Sequence, residues 1–393
     1  MTPDARAAAA IAILDRWLAG EPAEAALTRW ARASRYAGSG DREAVRDLVY
    51  DAIRKRRSAA ALGGADDTAT GRMLIQGCLR DAGAGPPGWD GTRHAPGPLT
   101  DAERALFAAP LPDLPRAVRL DCPDWLLPRF DHALGADTDA VLTRMRQRAP
   151  VFLRAHAGRT DPAALARLLA GEGIETSPHP LASMALQVTG GARRLRGSAG
   201  FAQGLFEMQD AASQAVAERF AAALTPGTRV LDFCAGGGGK ALALAARGLA
   251  VSAHDADPRR MRDLPARAAR AGQAIALLDD PAEGAPWPAI LADAPCSGSG
   301  SWRRAPEAKW TLTPAALDRL TAVQDAILRR AAALTAAGGT LGYATCSLLR
   351  EENEERIEAA LAALPGWFCT QVLRLTPLDG GDGFFLVLLR APR

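Results

Sequence analysis

The chain has 393 residues, of which 48% are hydrophobic and 23% charged, and its formal net charge is +3 at pH 7. These values predict a folded globular protein of two or three domains, and the small positive charge permits a polyanionic partner without requiring one. We find no apolar run of membrane-spanning length, no signal-peptide pattern and no metal-type pairing of the six cysteines, so we expect a cytoplasmic protein with reduced thiols.

The first 145 residues predict a helical domain. Apolar residues recur at helical spacing from Ala8 to Leu18, and a further helix is expected after Asp41. The other side and the end of that second helix carry a basic run, which consists of Arg42, Arg46, Arg54, Lys55, Arg56 and Arg57. Such a run is typical either of a solvated helix face or of nucleic-acid contact, and the sequence leaves both open. Gly and Pro at 83–98 predict a loop, and short helices are expected at 101–145.

A small α+β module is predicted at residues 146–205. Val151–Ala155 has the composition of a strand, and further strands are expected downstream. Asp161 to Leu169 predicts a helix that Asp161 caps, with Pro162 in its first turn. We identify no catalytic residue in this module.

Residues 206–393 predict an α/β domain, because apolar strands alternate there with helical segments. This alternation is the signature of a mostly parallel sheet. The predicted strands are Thr228–Asp232, Leu249–Asp255, Ala289–Asp293, Thr340–Ala344 and Gly383–Arg390.

A glycine-rich loop joins the first of these strands to a helix and predicts a cofactor site. Its residues are Cys234, Ala235, Gly236, Gly237, Gly238, Gly239 and Lys240. Glycine lets the backbone approach a ligand closely, and the helix that follows offers unpaired N–H groups. The loop is not a phosphate-binding P-loop, since Lys240 is followed by Ala241.

Four aspartates follow successive strand-like runs, at Asp232, Asp255, Asp280 and Asp293. Each one alone would more often cap a helix or a turn, but four at the carboxyl ends of strands indicate a ligand site. Carboxylates suit ribose hydroxyls and a cationic sulfonium and would repel a phosphate, so we predict S-adenosyl-L-methionine rather than NAD. Asp279 is a near-equal alternative to Asp280 for contact with the adenine.

Two cysteines, Cys296 and Cys346, also lie at strand ends, in Asp293-Ala-Pro-Cys-Ser-Gly and in Tyr343-Ala-Thr-Cys-Ser. A thiolate that adds to carbon-6 of cytosine makes carbon-5 nucleophilic enough to take a methyl group. Asp293 could hold the ring nitrogen or the amino edge of the base. Spacing alone leaves open which thiol attacks. The remaining cysteines are expected to be inert or, for Cys234, to form a pocket wall.

The segment from Trp302 to Trp310 places basic side chains and two indoles after the first of these cysteines. Arg303, Arg304 and Lys309 suit phosphates, and aromatic faces suit bases. Tryptophans taken alone would more often belong to a core. Beside a candidate base pocket, we predict that the segment contacts RNA.

These motifs together resemble the RsmB/Nop2/Sun family of RNA 5-methylcytosine methyltransferases, over residues 145–393. The family's Cys-Ala-Ala-Pro-Gly-Gly-Lys motif corresponds to Cys234-Ala-Gly-Gly-Gly-Gly-Lys240, in which two positions have become glycine. Both cysteine motifs match, and Glu351-Glu-Asn353 follows the second one. Gln209–Gln214 and Gly381–Phe385 are similar to further family landmarks.

The resemblance implies a Rossmann-like domain that depends on S-adenosyl-L-methionine, with a mostly parallel sheet and an antiparallel last strand. It also implies that Cys346 is the nucleophile, that Cys296 assists product release and that Asp293 holds the target cytosine. Lys240 and Lys309 would line the site.

The same resemblance assigns cofactor binding to Asp255 and Asp280, to Asp293 and to the glycine-rich loop. The amino-terminal helices are similar to the NusB-like domain that precedes the catalytic region in bacterial members of the family. Gly40-Asp-Arg-Glu-Ala-Val-Arg-Asp-Leu-Val-Tyr50 and Asp124-Trp-Leu-Leu127 carry that likeness.

We therefore expect a methyltransferase that forms 5-methylcytosine in small-subunit ribosomal RNA, acting as a monomer without a metal ion or a membrane. A tRNA methyltransferase would use the same chemistry, and a non-catalytic RNA-binding assembly factor would keep the fold alone. A DNA cytosine methyltransferase would place its nucleophile in the Pro-Cys motif and would leave Cys346 without a role.

Overall fold

A computed structural model describes residues 1–65, 68–92 and 94–393. The chain divides into two compact units. One contains Met1–Arg148 together with Trp302–Thr311, and the other contains Ala149–Ser301 together with Leu312–Arg393. Arg93, within the loop predicted at 83–98, lies outside the described residues.

The first unit is helical. Its amino-terminal helices are α1 (Pro3–Leu18), α2 (Ala23–Ala33), α3 (Ser39–Arg54), α4 (Arg56–Leu62), α5 (Gly71–Asp81), α6 (Asp101–Ala108), α7 (Arg116–Arg119), α8 (Leu127–Leu134) and α9 (Thr138–Met145). Thr2 caps the amino terminus of α1: its side chain accepts a hydrogen bond from the backbone N–H of Ala5, which would otherwise have no partner in the first turn. Fully buried Leu14, Val49 and Leu74 belong to the core of this unit.

A small antiparallel sheet opens the second unit, with strand order β2-β3-β1-β4. Its elements are β1 (Val151–Ala155), α10 (Pro162–Gly171), β2 (Glu175–Pro178), β3 (Ala185–Gly190), α11 (Ala199–Ala202) and β4 (Phe206–Met208). Asp161 caps α10 by accepting from the backbone of Ala164, and Pro162 lies in its first turn. The prediction for this helix is confirmed.

The rest of the second unit is built on a larger mixed sheet. Its strands are β5 (Arg229–Asp232), β6 (Ala250–Ala253), β7 (Ala276–Leu277), β8 (Trp287–Asp293), β9 (Thr335–Thr345), β10 (Phe368–Leu375) and β11 (Phe384–Arg390). Its helices are α12 (Ala211–Ala222), α13 (Gly239–Ala245), α14 (Leu264–Ala271), α16 (Pro314–Leu334) and α17 (Glu354–Ala363), whereas α15 (Glu307–Thr311) belongs to the helical unit.

The strand order of the larger sheet is β10-β11-β9-β8-β5-β6-β7. The strands β5 to β9 run parallel, and β11 is antiparallel to both of its neighbours. This is the Rossmann-like arrangement with an antiparallel last strand that the sequence predicted, so the fold class is confirmed. The edge strand β10 was not predicted.

The central strands of the larger sheet, such as β8 and β11, are buried on both faces, which is why they are continuous apolar runs. Val230 and Leu291 pack into one core cluster, whereas Leu231 and Ile290 pack into another. The strand order reverses between β5 and β8, and in open α/β sheets ligands bind at the carboxyl ends of the strands beside such a point. Within the described ranges, no helix is long and apolar enough to cross a membrane.

Candidate active site

The glycine-rich loop connects β5 to α13 at the switch point of the sheet. Gly236 and Gly238 have φ values of 51° and 79°, in the left-handed region that glycine tolerates best. A Cβ atom on Gly238 would also overlap the side chain of Leu264. The backbone N–H of Gly236 donates to Asp255 Oδ2 at 2.9 Å. The loop is therefore held in one conformation by its own backbone and by the buried carboxylate that follows β6.

The two aspartates predicted to bind a cofactor have different surroundings. Asp255 is buried, and its carboxylate accepts from the backbone of Asp257 at 3.0 Å and pairs with Arg260 at 3.1 Å. Asp280 is exposed and accepts from the backbone of Ala282 at 2.9 Å, as the cap of a short turn. Asp255 thus borders the glycine-rich loop, whereas the contacts of Asp280 are those of a turn cap.

Asp232, at the end of β5, is a buried carboxyl group behind the loop. Among the described residues no side chain donates a hydrogen bond to its carboxyl group, and the backbone N–H of Ala241 is close enough to oppose the rise in its pKa. Burial raises the pKa of Asp232 to about 7, with repulsion from Asp293 adding to the rise and the ammonium of Lys240 opposing it. A buried carboxyl group with no side-chain donor has acceptor capacity left for a donor on a ligand.

Lys240 and Asp293 form an ion pair between the first turn of α13 and the end of β8. The ammonium lies 2.6 Å from Asp293 Oδ2 and 4.8 Å from the centre of the Phe384 ring. Lys240 is buried, whereas the Asp293 side chain keeps 31% of its surface exposed. The pair therefore presents a carboxylate whose position is fixed by a buried cation.

The two predicted thiols meet at the ends of β8 and β9, where the Sγ atoms of Cys296 and Cys346 are 3.4 Å apart. The hydrogen bond from Cys296 is the main cause that lowers the pKa of Cys346, and the charge of Lys240 acts in the same direction, although burial and Asp293 oppose them. The same hydrogen bond, together with burial, raises the pKa of Cys296. The electrostatics therefore favour the thiolate at Cys346, a distinction that spacing left open.

A buried carboxylate, Glu352, connects the two thiol-bearing loops. Its Oε1 accepts from the backbone of Ser297 at 2.7 Å and from Gln324 Nε2 at 3.1 Å. Its Oε2 accepts from the hydroxyl groups of Ser297 and Ser347. Each of these serines directly follows one of the two thiols. We call these four residues (Glu352, Ser297, Ser347 and Gln324) the Glu352 clamp.

Backbone contacts add to the clamp. The N–H of Gly300 donates to the carbonyl of Cys346 at 2.9 Å, and the N–H of Gly383 donates to the carbonyl of Gly300 at 2.9 Å. Asp210, which caps α12, also accepts from the backbone of Asp382 at 3.0 Å. The segment 381–385 therefore supports the loop that carries Cys296, and Asp210 ties the start of α12 to that segment.

Lys309, predicted as a catalytic residue, belongs to the helical unit. Its ammonium donates to the carbonyl of Arg54 at 3.2 Å, and burial lowers its pKa to about 8. A part in catalysis stays a prediction. Trp302 and Arg303 are also buried, and the Arg303 guanidinium donates to the carbonyl of Arg148 at 2.9 Å. The prediction that Trp302 and Arg303 contact RNA is wrong, because their side chains lie inside the helical unit.

Sequence reasoning missed the Glu352 clamp. Glu351-Glu-Asn353 matches a family motif, but nothing in the motif shows which of its two carboxylates turns inward. Gln324, in the middle of α16, carries no signal of its own. Across residues 1–65, 68–92 and 94–393, no cluster of His, Cys, Asp and Glu is arranged to hold a metal ion.

Two family models match the chain. The model described as 16S rRNA methyltransferase RsmB/F matches residues 220–386. A model for the ferredoxin-like domain of RsmF/B-like methyltransferases matches residues 122–193. The first match contains the glycine-rich loop, the ion pair and both thiols.

Curated relatives named ribosomal RNA small subunit methyltransferase B are also similar. The one from Xanthomonas campestris pv. campestris is 37% identical over 251 residues, which cover 61% of this chain and 56% of the relative. The one from Pectobacterium carotovorum is 32% identical, over 68% of this chain and 66% of the relative. The chain therefore spans less than two thirds of the length of these two relatives. The relative from Yersinia pestis bv. Antiqua is 32% identical, over 69% of this chain and 68% of the relative.

Solved structures share the fold. The crystal structure of PH0851 superposes with a TM-score of 0.76 at 21% identity, over 99% of each chain. A methyltransferase homologue from Pyrococcus horikoshii superposes with a TM-score of 0.62 at 23% identity, over 70% of this chain and 97% of that one. At these identities the likeness concerns the fold alone. Taken with the family models and the curated relatives, it leads to one conclusion: the chain belongs to the RsmB/F family of methyltransferases.

Proposed function

We propose that this protein is an S-adenosyl-L-methionine-dependent methyltransferase that forms 5-methylcytosine in small-subunit ribosomal RNA. The observation that carries the proposal is the pair of thiols 3.4 Å apart, next to the Lys240–Asp293 ion pair. The names of the curated relatives support the choice of RNA. A purely structural role in ribosome assembly would not require a hydrogen-bonded thiol pair.

The residues around the glycine-rich loop fit S-adenosyl-L-methionine, which is the cofactor of the reaction. Asp232 offers a buried carboxyl group to which no side chain of the described residues donates, and the positive charge of the cofactor would add to that of Lys240 in stabilising its ionised form. Asp255 is placed to accept from ribose hydroxyls, and the loop glycines leave room for a close approach. When bound, the cofactor supplies an electrophilic methyl group on a sulfonium. The residues that would hold it are Cys234, Ala235, Gly236, Gly237, Gly238, Gly239, Lys240, Asp255, Asp280 and Asp293.

Cys346 acts as the nucleophile. Its pKa is lowered by the Cys296 hydrogen bond and by Lys240, so its thiolate is the more available of the two. Sγ adds to carbon-6 of the target cytosine, and the electron pair of the C5–C6 double bond makes carbon-5 the nucleophilic centre. Asp293, fixed by Lys240, holds the polar edge of the base and stabilises the adduct.

Cys296 assists the release of the product. After carbon-5 is methylated, a base removes the carbon-5 proton, the C5–C6 double bond re-forms and the bond from carbon-6 to Cys346 Sγ breaks. The thiol of Cys296, at 3.4 Å, donates a hydrogen bond to the departing thiolate and so makes it a better leaving group. A chain without that thiol would remain attached to its substrate.

The test is mass spectrometry of unmethylated small-subunit rRNA incubated with S-adenosyl-L-methionine and the protein. We expect 5-methylcytosine with the intact chain, none with Cys346→Ala and an accumulated covalent RNA adduct with Cys296→Ala. The control is Cys369→Ala, which removes an exposed thiol on β10 and should leave the reaction unchanged. Full activity of Cys346→Ala would refute the mechanism. Methylation of tRNA instead of rRNA would retain the mechanism and overturn the substrate.

The helical domain at 1–145, the module at 146–205 and the methyltransferase domain at 206–393 remain our proposed division of the chain. A NusB-like role of the helices in RNA binding, a monomeric state and a cytoplasmic location remain predictions as well. The proposed chemistry of the two thiols does not depend on the role of the helices, on the oligomeric state or on the location.

A further inference from the structure

Several side chains of the basic run at the end of α3 form ion pairs and hydrogen bonds within the helical unit. Lys55 pairs with Asp81 at 2.7 Å, and Arg57 pairs with Asp124 at 2.8 Å. Arg54 is buried and donates to the carbonyl of Arg303 at 2.8 Å. These side chains hold helices and loops together, so they are not available to a polyanion.

The other part of the run, Arg42 and Arg46, faces a groove between α2 and α3. The groove has a volume of about 650 Å³, and Arg32, Arg35 and the indole of Trp30 line it as well. Trp30 is half-buried, packs against the core of the helical unit and also lines the groove. The structure therefore gathers two arginines from each of two neighbouring segments around one aromatic side chain.

The arginines of the groove differ in how far their charge is already neutralised. Arg46 pairs with Glu24 at 2.7 Å, and Arg42 donates to the carbonyl of Ala37 at 3.1 Å. Arg32 and Arg35 are exposed, and no ion-pair partner for either lies among the described residues. Like charges held together on a folded surface repel one another, and an anionic ligand relieves that repulsion.

We propose that this arginine groove binds single-stranded RNA, with Arg32 and Arg35 on the phosphates and a base against Trp30. The planar guanidinium fork matches phosphate oxygens, and an aromatic face accepts any base. The indole favours RNA over an acidic protein segment, whose carboxylates would use the arginines and leave the ring without a stacking partner. The identity of the RNA rests on the proposed function, whereas the location of the groove does not.

The experiment measures binding of the full chain to an unmethylated small-subunit rRNA fragment over a range of salt concentrations. The double variant Arg32→Ala/Arg35→Ala should bind about tenfold more weakly near 0.15 M salt, because each lost phosphate contact lowers the salt slope by about 0.7 on a single strand. The slope should thus fall by about 1.4 for the pair. Neither substitution touches the thiols or the glycine-rich loop, and both side chains are exposed, so the fold should persist.

The matched control is Arg104→Ala/Arg119→Ala, which removes the same net charge from exposed, ion-paired positions of the same unit. Equal affinity and equal slope for the two double variants would overturn the groove as an RNA site. If the intact chain methylates rRNA while the groove variant binds like the control, this inference fails and the proposed function stands. If the intact chain methylates no RNA but the groove variant loses RNA affinity, the proposed function fails and the groove stands.

Discussion

Replacing the carboxylate of the Glu352 clamp should both destabilise the protein and separate the two thiols. Glu352 is fully buried and accepts four hydrogen bonds, from the backbone and hydroxyl of Ser297, from Ser347 and from Gln324. In Glu352→Ala the two hydroxyl groups can rotate toward other acceptors, since Ser347 Oγ already lies 3.0 Å from Ser299 Oγ. The backbone N–H of Ser297 and the amide of Gln324 lose a partner that they cannot replace as easily.

The magnitude follows from these two stranded donors. Each unpaired buried donor costs about 1–3 kcal/mol, so we expect Glu352→Ala to lower the free energy of unfolding by about 2–6 kcal/mol. Glu352→Gln keeps the shape and one acceptor oxygen, and its amide can donate to a serine hydroxyl. It should therefore cost only about 1–2 kcal/mol, for the loss of charge-assisted bonds.

Urea denaturation of the full chain measures the stability, and the pH dependence of thiol alkylation reports on the thiols. Glu352→Gln should retain the fold and shift alkylation of Cys346 to higher pH, because a looser pair of loops weakens the hydrogen bond from Cys296. The control is Glu358→Ala, at an exposed carboxylate of α17, which should change the stability by about 0.5 kcal/mol or less. A Glu352→Ala protein as stable as this control, with unchanged alkylation, would refute the reasoning.

Three further predictions concern the loop and its charges. Lys240→Met should shift alkylation of Cys346 to higher pH, since the ammonium lowers the pKa of that thiol; an unchanged pH profile would contradict this. Gly238→Ala should lower the stability by about 1–3 kcal/mol and weaken cofactor binding measured by calorimetry, because its φ is 79° and a Cβ would meet Leu264. The folded-state pKa of Asp232 is raised to about 7. Between about pH 4 and 7 the folded state therefore holds a proton that the unfolded state has released. The free energy of unfolding should fall as pH rises through that window. Urea titrations at pH 4 and pH 7 should show that the free energy of unfolding falls less with pH in Asp232→Asn than in the unsubstituted chain. An equal fall in both proteins would count against this explanation.

The parallel strands and the thiol motifs were predictable because their signals are local. A strand that is buried on both faces, such as β5 or β8, is a continuous apolar run, and its carboxyl end is where a reactive side chain can reach a ligand. The edge strand β10 lacks that signal, since Phe368 and Val372 are exposed and polar residues separate them. Its position in the sheet depends on pairing with β11, which composition does not encode.

The parts that escaped prediction depend on side chains that are distant in sequence. Glu352 acquires its role only when Ser297 and Gln324, 55 and 28 residues away, converge on it. The prediction for Trp302 and Arg303 was wrong for a different reason, which is that the local pattern has two interpretations. An arginine next to a tryptophan is compatible either with a buried segment or with an RNA contact. The burial of Trp302 and Arg303 shows that they belong to a buried segment.

The segment 302–311 determines where the chain can be cut into its two units. The chain leaves the methyltransferase unit after Ser301, contributes residues 302–311 to the helical unit and returns at Leu312. The same ten residues lie inside the stretch that matches the methyltransferase family model. Each unit therefore consists of two separate stretches of sequence, and cutting the chain at one position would not separate the units. A fragment that begins at Ala149 would carry Trp302 and Arg303 without the helices among which they are buried, so it should expose an indole and a guanidinium that the full chain buries.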